Sequence, residues 1–182
     1  ELVKGNGFGV FDNAEFVVGI VAKGIASQHS NKDLKKLTEW VQRPQIGAKG
    51  LVYVKYNEDQ TIKSTIGKFY TDENLRSMQG QIEAESGDIL FILCGEIEKT
   101  RKQLSELRLE MGRRMGLIDP LDFKPLWVVD FPLLEWDEET QRFHAMHHPF
   151  TSPKKIDLES MMTGDNEVMK NLRADAYDLV IN

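Results

Sequence analysis

The sequence predicts an α+β protein built on a two-layer sandwich, and three observations carry that prediction. Short apolar runs of strand type alternate with charged stretches whose apolar residues recur at helical spacing. Read in order, these segments give β-α-β-β-α-β-α, which closes most simply as helices covering one face of a mostly antiparallel sheet. The segment "IDPLDFKP" (118–125), with two prolines, then separates this group from a second set of strand-type segments and is the candidate hinge.

"EFVVGIVAKG" (15–24) is β-branched and apolar, which predicts the first strand. "SNKDLKKLTEWVQ" (30–42) places Leu34, Leu37 and Val41 on one helical face, with Ser30 or Asn31 as the N-cap. In "GLVYVKYNEDQTIKSTIGKF" (50–69), Val52, Val54 and Tyr56 alternate ahead of Asn57–Gln60, so a hairpin is expected. "TDENLRSMQGQIEAESGD" (71–88) opens on a cap-like Thr71 and Asn74, carries Leu75, Met78 and Ile82 at helical spacing and is expected to end at Gly87. "DILFILCGEI" (88–97) is continuously apolar, as in a strand covered on both faces. "EKTRKQLSELRLEMGRRMGL" (98–117) is a charged helix lined on one side by Leu104, Leu107, Met111 and Met115. Beyond the hinge, "LWVVDFPLLEW" reads as a strand, Asp137–Thr140 as an acidic turn, and the residues up to Phe150 as a returning strand, with "AYDLVIN" as a third. Some 60 residues of this kind are too few for an independent core, so they are expected to need further chain.

At 182 residues and 41% hydrophobic content there is material for one sizeable core or two small ones. No apolar run reaches the ~20 residues of a membrane span, and "ELVKGNGFGV" is not built like a signal peptide, so a cytoplasmic protein is expected. The single cysteine, Cys94, excludes an internal disulfide framework and reads as a buried small hydrophobe rather than a reactive thiol. A net charge of −6 opposes general coating of nucleic acid. A start without Met and an apolar, uncapped end predict a piece of a longer protein.

Three of the four histidines, His144, His147 and His148, fall within "RFHAMHHPFTSPK" (142–154). If 142–148 is a strand, His147 faces with Phe143 and Ala145, while His144 and His148 point the other way, about 13 Å apart. A shared metal is therefore not expected, and Pro149 opposes a helix that would reunite them. Two readings stay open from spacing: hydrogen-bonding groups in a substrate pocket at a sheet end, or partly buried strand histidines. Glu135, Asp137, Glu138 and Glu139 read as a solvated turn rather than paired catalytic carboxylates. "GNGFGV" (5–10) has no preceding strand and is discarded as a phosphate loop. The basic residues Lys99, Arg101, Lys102, Arg108, Arg113 and Arg114 interleave with Glu98, Glu106 and Glu110 and read as a solvated helix face.

Taken together, "VVDFPLLEWDEETQRFHAMHHPFTSPK" (128–154) and "RADAYDLVIN" (173–182) closely resemble bacterial-type aspartyl-tRNA synthetases, and the resemblance covers essentially the whole chain. "LRLEMGRRMGLID" (107–119) and the pattern before it resemble the GAD insertion domain, which these enzymes share with the B subunit of the tRNA-dependent amidotransferase. The resemblance implies a GAD/DCoH-like insertion domain over 1–119 and, over 120–182, an incomplete antiparallel segment of a class II catalytic core. It implies that the whole enzyme activates aspartate with ATP and Mg²⁺ and transfers it to tRNA, as a homodimer formed through elements outside this chain. The first histidine of the family's "AMHHPFTSP" contacts aspartate, a role that falls on His147; His148 supports the same pocket, and His144 lies outside the motif. No catalytic, nucleotide-binding or metal-ligating residue is carried over within 1–182, and the isolated piece is expected to be inactive. The competing expectation is a noncatalytic, tRNA-positioning or interaction module, as the GAD domain alone would suggest.

Overall fold

The computed structural model describes residues 3–181, which form two compact units divided between Ile118 and Asp119. In the first unit a short helix α1 (Gly9–Asp12) is followed by β1 (Phe16–Ala22), α2 (Asn31–Val41), β2 (Val52–Tyr56), β3 (Ile62–Ser64), α3 (Asp72–Gln81), β4 (Ile89–Gly95) and α4 (Ile97–Arg114). The second unit holds β5 (Pro125–Val129), β6 (Leu134–Asp137), β7 (Arg142–Ala145), a 3₁₀ turn (Lys155–Asp157), α5 (Leu158–Met161), α6 (Asn166–Asn171) and β8 (Tyr177–Ile181). No helix among the described residues is long and apolar enough to cross a membrane.

The first unit is an antiparallel sheet in the order β1-β4-β2-β3. Its elements follow the expected order after α1. Both main helix starts are set by reciprocal side-chain caps. The Ser30 hydroxyl accepts from the Asp33 N–H while the Asp33 carboxylate accepts from the Ser30 N–H, and Thr71 and Asn74 do the same for α3. Helix α3 stops earlier than its apolar spacing predicts. Glu83 adopts a left-handed φ of 52°, and Ala84 N–H turns back to Gln79 O at 3.0 Å, closing the helix before Gly87.

Alternate residues of β4 serve two apolar clusters. Ile89, Phe91 and Leu93 pack with Leu34, Leu37 and Val41 of α2 and Leu107 and Met111 of α4. Leu90 and Ile92 pack with Phe11, Val54, Tyr56, Tyr70, and with Leu75 and Met78 of α3. The expectation of helices on one face is corrected here: a strand apolar at every position needs cover on both sides, and α3 with the N-terminal segment supplies the second cover. Tyr56 spans that second cluster, with its hydroxyl donating to Leu75 O at 3.2 Å and its pKa pushed up to about 12 by burial.

At the start of β4, the carboxylate of Asp88 is 2% exposed and accepts from the N–H groups of Gly24 and Glu85, both at 2.8 Å, with Lys23 Nζ at 3.1 Å. Burial by itself would raise its pKa, but the two backbone donors and the Lys23 ammonium together hold it below the usual carboxylate range. The backbone around it is tied as well: Tyr56 N–H bonds Asp88 O, Gly87 N–H bonds Tyr56 O and Ala26 N–H bonds Gly87 O. Asp88 thus joins the loop after β1 and the turn before β4 through its carboxylate, and the end of β2 through its backbone carbonyl.

The second unit is differently built. β5 pairs with β8, and β6 pairs with β7, in two separate two-stranded sheets. Its apolar cluster has Leu133, Leu172 and Ala174 as buried members. Leu126, Trp127 and Val129 of β5 and Tyr177, Leu179, Val180 and Ile181 of β8 are all exposed. The single strand expected over 126–136 is broken: Asp130 sits at φ 61°, and Pro132, lacking an N–H, forms an isolated bridge to Arg173 instead of continuing a ladder.

Replacing Asp88 with Ala is expected to lower the unfolding free energy by about 2–4 kcal/mol, because buried donors lose their acceptor. Since the folded-state carboxyl titrates below its unfolded value of about 3.9, its contribution is complete above that value and disappears as pH falls through the folded value. Denaturant titrations of the two proteins should therefore differ by a constant amount at neutral pH and converge in acid. A Cβ at Gly19 would lie 2.6 Å from the Phe91 carbonyl oxygen, so Gly19→Ala should displace β1 from β4 and lower stability by about 1–3 kcal/mol.

Candidate functional site

The histidines lie on and just beyond the β6–β7 hairpin. Glu135 faces His144 and Trp136 faces Phe143 across it, the latter pair with ring centroids 5.0 Å apart. Asp137 builds the turn: its Oδ1 accepts from Glu139 N–H at 2.8 Å and Thr140 N–H at 3.3 Å, and Gln141 takes a left-handed φ of 52°. These bonds, led by the one to the Thr140 side chain, lower the Asp137 pKa. The Asp137 carboxylate thus serves to form the turn.

Strand alternation ends sooner than expected. β7 stops at Ala145; Met146 N–H still reaches Leu133 O at 3.1 Å, but Pro149 has no N–H and Thr151 N–H closes a turn onto His148 O at 2.9 Å. The facing of His147 and His148 is therefore set by turn contacts and not by a pleat. All three histidines are exposed, which corrects the reading of partly buried strand residues.

Each imidazole is held differently. His144 Nε2 lies 3.0 Å from Thr140 Oγ1 and 3.5 Å from Asp137 Oδ2, within the hairpin. His148 Nδ1 accepts from Phe150 N–H at 3.2 Å, and its ring meets Phe150 at a centroid distance of 5.1 Å. In that geometry Nδ1 carries a lone pair, so a neutral His148 bears its proton on Nε2, free to donate. His147 makes no hydrogen bond among the described residues, and its ring meets Phe131 at 4.8 Å with the planes at 87°. Among the described residues no three His, Cys, Asp or Glu side chains converge to hold a metal ion.

The surrounding loops are pinned by backbone bonds. Leu133 N–H donates to Leu172 O, Ala174 N–H to Phe131 O, Lys154 N–H to Arg173 O and Asp175 N–H to Ser152 O, at 2.7–3.0 Å. Lys154 Nζ pairs with the Asp130 carboxylate, and Arg173 N–H donates to Asp157 Oδ2 at 3.0 Å. The "HHPFTSPK" segment is thereby fastened at Ser152 and Lys154 to the segment leading into β8. The sequence reading did not find Phe131 or the Asp130–Lys154 pair; the Asp130-Phe131-Pro132 run, a proline inside a strand pattern, was the available signal.

A cavity of about 830 Å³ lies elsewhere, in the first unit, where β4 runs past the start of β2, and is lined by Phe8, Lys49, Val52, Thr65, Ile92 and Cys94 among others. Cys94 is half-buried there rather than fully buried, and burial pushes its thiol pKa up, away from nucleophilic character.

Compared with known families, residues 9–106 match the GAD domain. The chain is similar to the aspartate–tRNA ligase of Porphyromonas gingivalis, 54% identical over 183 residues, which covers 100% of the chain and 30% of that ligase. It is likewise similar to the aspartate–tRNA ligases of Flavobacterium psychrophilum and Parabacteroides distasonis, 51% and 52% identical with the same coverage. The chain thus spans about 30% of the length of the curated relatives it matches.

Metal analysis of the purified chain should find no stoichiometric zinc, and zinc lost on replacing His144, His147 and His148 would overturn the assignment of three separate restraints.

Proposed function

Because the chain belongs to the GAD domain family, we propose that it is the insertion domain and adjoining core segment of an aspartate–tRNA ligase. The observation that supports this most strongly is similarity to aspartate–tRNA ligases at about half identity through both units, when the GAD match stops at residue 106. A noncatalytic GAD module accounts for the first unit but leaves "HHPFTSP" and "AYDLVIN" without a reason. On this reading residues 1–119 are the insertion domain and 120–182 an incomplete antiparallel part of a class II core. The exposed apolar faces of β5 and β8 support the latter, since such faces are stable only when covered.

The parent enzyme would activate aspartate with ATP to the aspartyl-adenylate and pass the aspartyl group to the 3′ end of its tRNA, in the cytoplasm and as a homodimer. His147 is the aspartate contact and His148 its support. The geometry suits an anionic substrate: an exposed imidazole at His147, and beside it His148 with its Nε2–H directed away from the bond that Nδ1 makes. Hydrogen bonds from these rings to a carboxylate would orient aspartate for attack on ATP, a contribution of positioning rather than of bond making. ATP supplies the activated phosphate and Mg²⁺ balances its charge, but the described residues include no carboxylate cluster that fits the cation. No step is drawn through it within this chain.

Aspartate-dependent ATP–pyrophosphate exchange on the full-length parent tests the reading. His147→Ala should raise the KM for aspartate about 10- to 100-fold, the effect of losing a hydrogen bond to a charged group, and unchanged kinetics would remove His147 from the site. The chain by itself should show no exchange; measurable exchange would contradict the proposal that the rest of the apparatus lies outside it.

A further inference from the structure

Three histidines stand within five residues, and their restraints differ in kind. His144 is held by Thr140 and Asp137, and His148 by the Phe150 N–H. His147, the ring assigned to the substrate, has no hydrogen bond among the described residues, and its ring contact is with Phe131. An exposed imidazole without such an anchor would sample its rotamers freely and lose side-chain entropy whenever substrate fixed it.

We propose that Phe131 is the positioning residue for His147, holding the imidazole by a perpendicular ring contact so that it is oriented before aspartate arrives. The inference rests on the reading of His147 as the aspartate contact.

Phe131 is suited to this because its own backbone is fixed on both sides. Asp130 before it sits at φ 61°, a left-handed conformation that Asp tolerates better than most residues, and its carboxylate is clamped by Lys154. The Phe131 carbonyl accepts from Ala174 N–H at 2.7 Å, and Pro132 after it bridges Arg173. The ring is half-buried against the Leu133, Leu172 and Ala174 cluster. A fixed phenyl meeting an imidazole at 4.8 Å and 87° is the T-shaped arrangement in which aromatic pairs attract. The same clamp returns to the histidine segment, since Lys154 lies on the chain that follows "HHPFTSP" and is itself bonded through its N–H to Arg173 O. Phe131 and His147 are therefore set on two strips of chain that are fastened to one another.

The test is a double-mutant cycle in the full-length parent, read as aspartate-dependent ATP–pyrophosphate exchange for the parent protein, Phe131→Leu, His147→Ala and the pair. Phe131→Leu should raise the KM for aspartate about 2- to 10-fold, with kcat and the KM for ATP unchanged. Phe131→Tyr, which keeps the ring, should restore it. In the His147→Ala background Phe131→Leu should have no further effect, because the residue acts through the imidazole it orients. An equal effect of Phe131→Leu in both backgrounds, or an unaltered KM for aspartate in a Phe131→Leu enzyme alongside a raised one in His147→Ala, would overturn the inference and leave the role of His147 standing. An unaltered KM in His147→Ala would overturn both.

Discussion

Strand β4 is buried at every side chain from Ile89 to Leu93, and the first unit is arranged around that constraint. A strand that is apolar on both faces cannot lie at a surface, so it takes the centre of the sheet between β1 and β2, with α2 and α4 on one side and α3 on the other. Burying a strand this completely also buries its first turn, where backbone groups must find partners away from water. The Asp88 carboxylate answers that need by accepting from Gly24 and Glu85, and its charge is met by a lysine whose own side chain stays in solvent. At the start of this apolar strand, a charged side chain supplies the acceptors that the buried turn needs.

The second unit has no equivalent strand, and the consequence is visible in how it is held. Its fastening is largely a lattice of backbone bonds between the 131–133, 152–154 and 172–175 stretches, with a small apolar cluster beneath. Such bonds fix geometry well but contribute little net stability each, about 1 kcal/mol. The apolar side chains of β5 and β8 are exposed and add little hydrophobic stabilisation to this unit. The candidate site therefore sits where geometry is set by local backbone bonds rather than by a large apolar core.

Much of the first unit was legible because one residue period decides each element. Leu34, Leu37 and Val41 at helical spacing, and Val52, Val54 and Tyr56 at alternate positions, announce α2 and β2, and Ser30 and Thr71 mark helix starts through bonds that reach only three residues. The end of α3 was not legible, since a left-handed Glu83 carries no compositional mark where Gly87 does. The two faces of the sheet were half legible: the continuous run of β4 implied double cover, but which helix supplies it depends on long-range packing. Around the histidines, the turn at Asp137 could be read from its acidic residues, while the end of β7 depends on how many rungs β6 can offer, a property of another segment.

The histidines show why spacing alone could not rank them. His144 takes its partners from within four residues to seven residues before it, and His148 takes its own from two residues ahead, so both are satisfied by the local chain. His147 has no such local partner among the described residues, and a sequence window around it contains nothing that says so. Its neighbour, Phe131, is brought there by the Asp130 turn and the bonds of Phe131 and Lys154 to the 173–174 stretch. A histidine already satisfied by its own loop has less hydrogen-bonding capacity left for a ligand, whereas one held by its ring plane keeps both nitrogens available. Among the described residues the one ring contact of His147 is with Phe131, a restraint that leaves both imidazole nitrogens unoccupied.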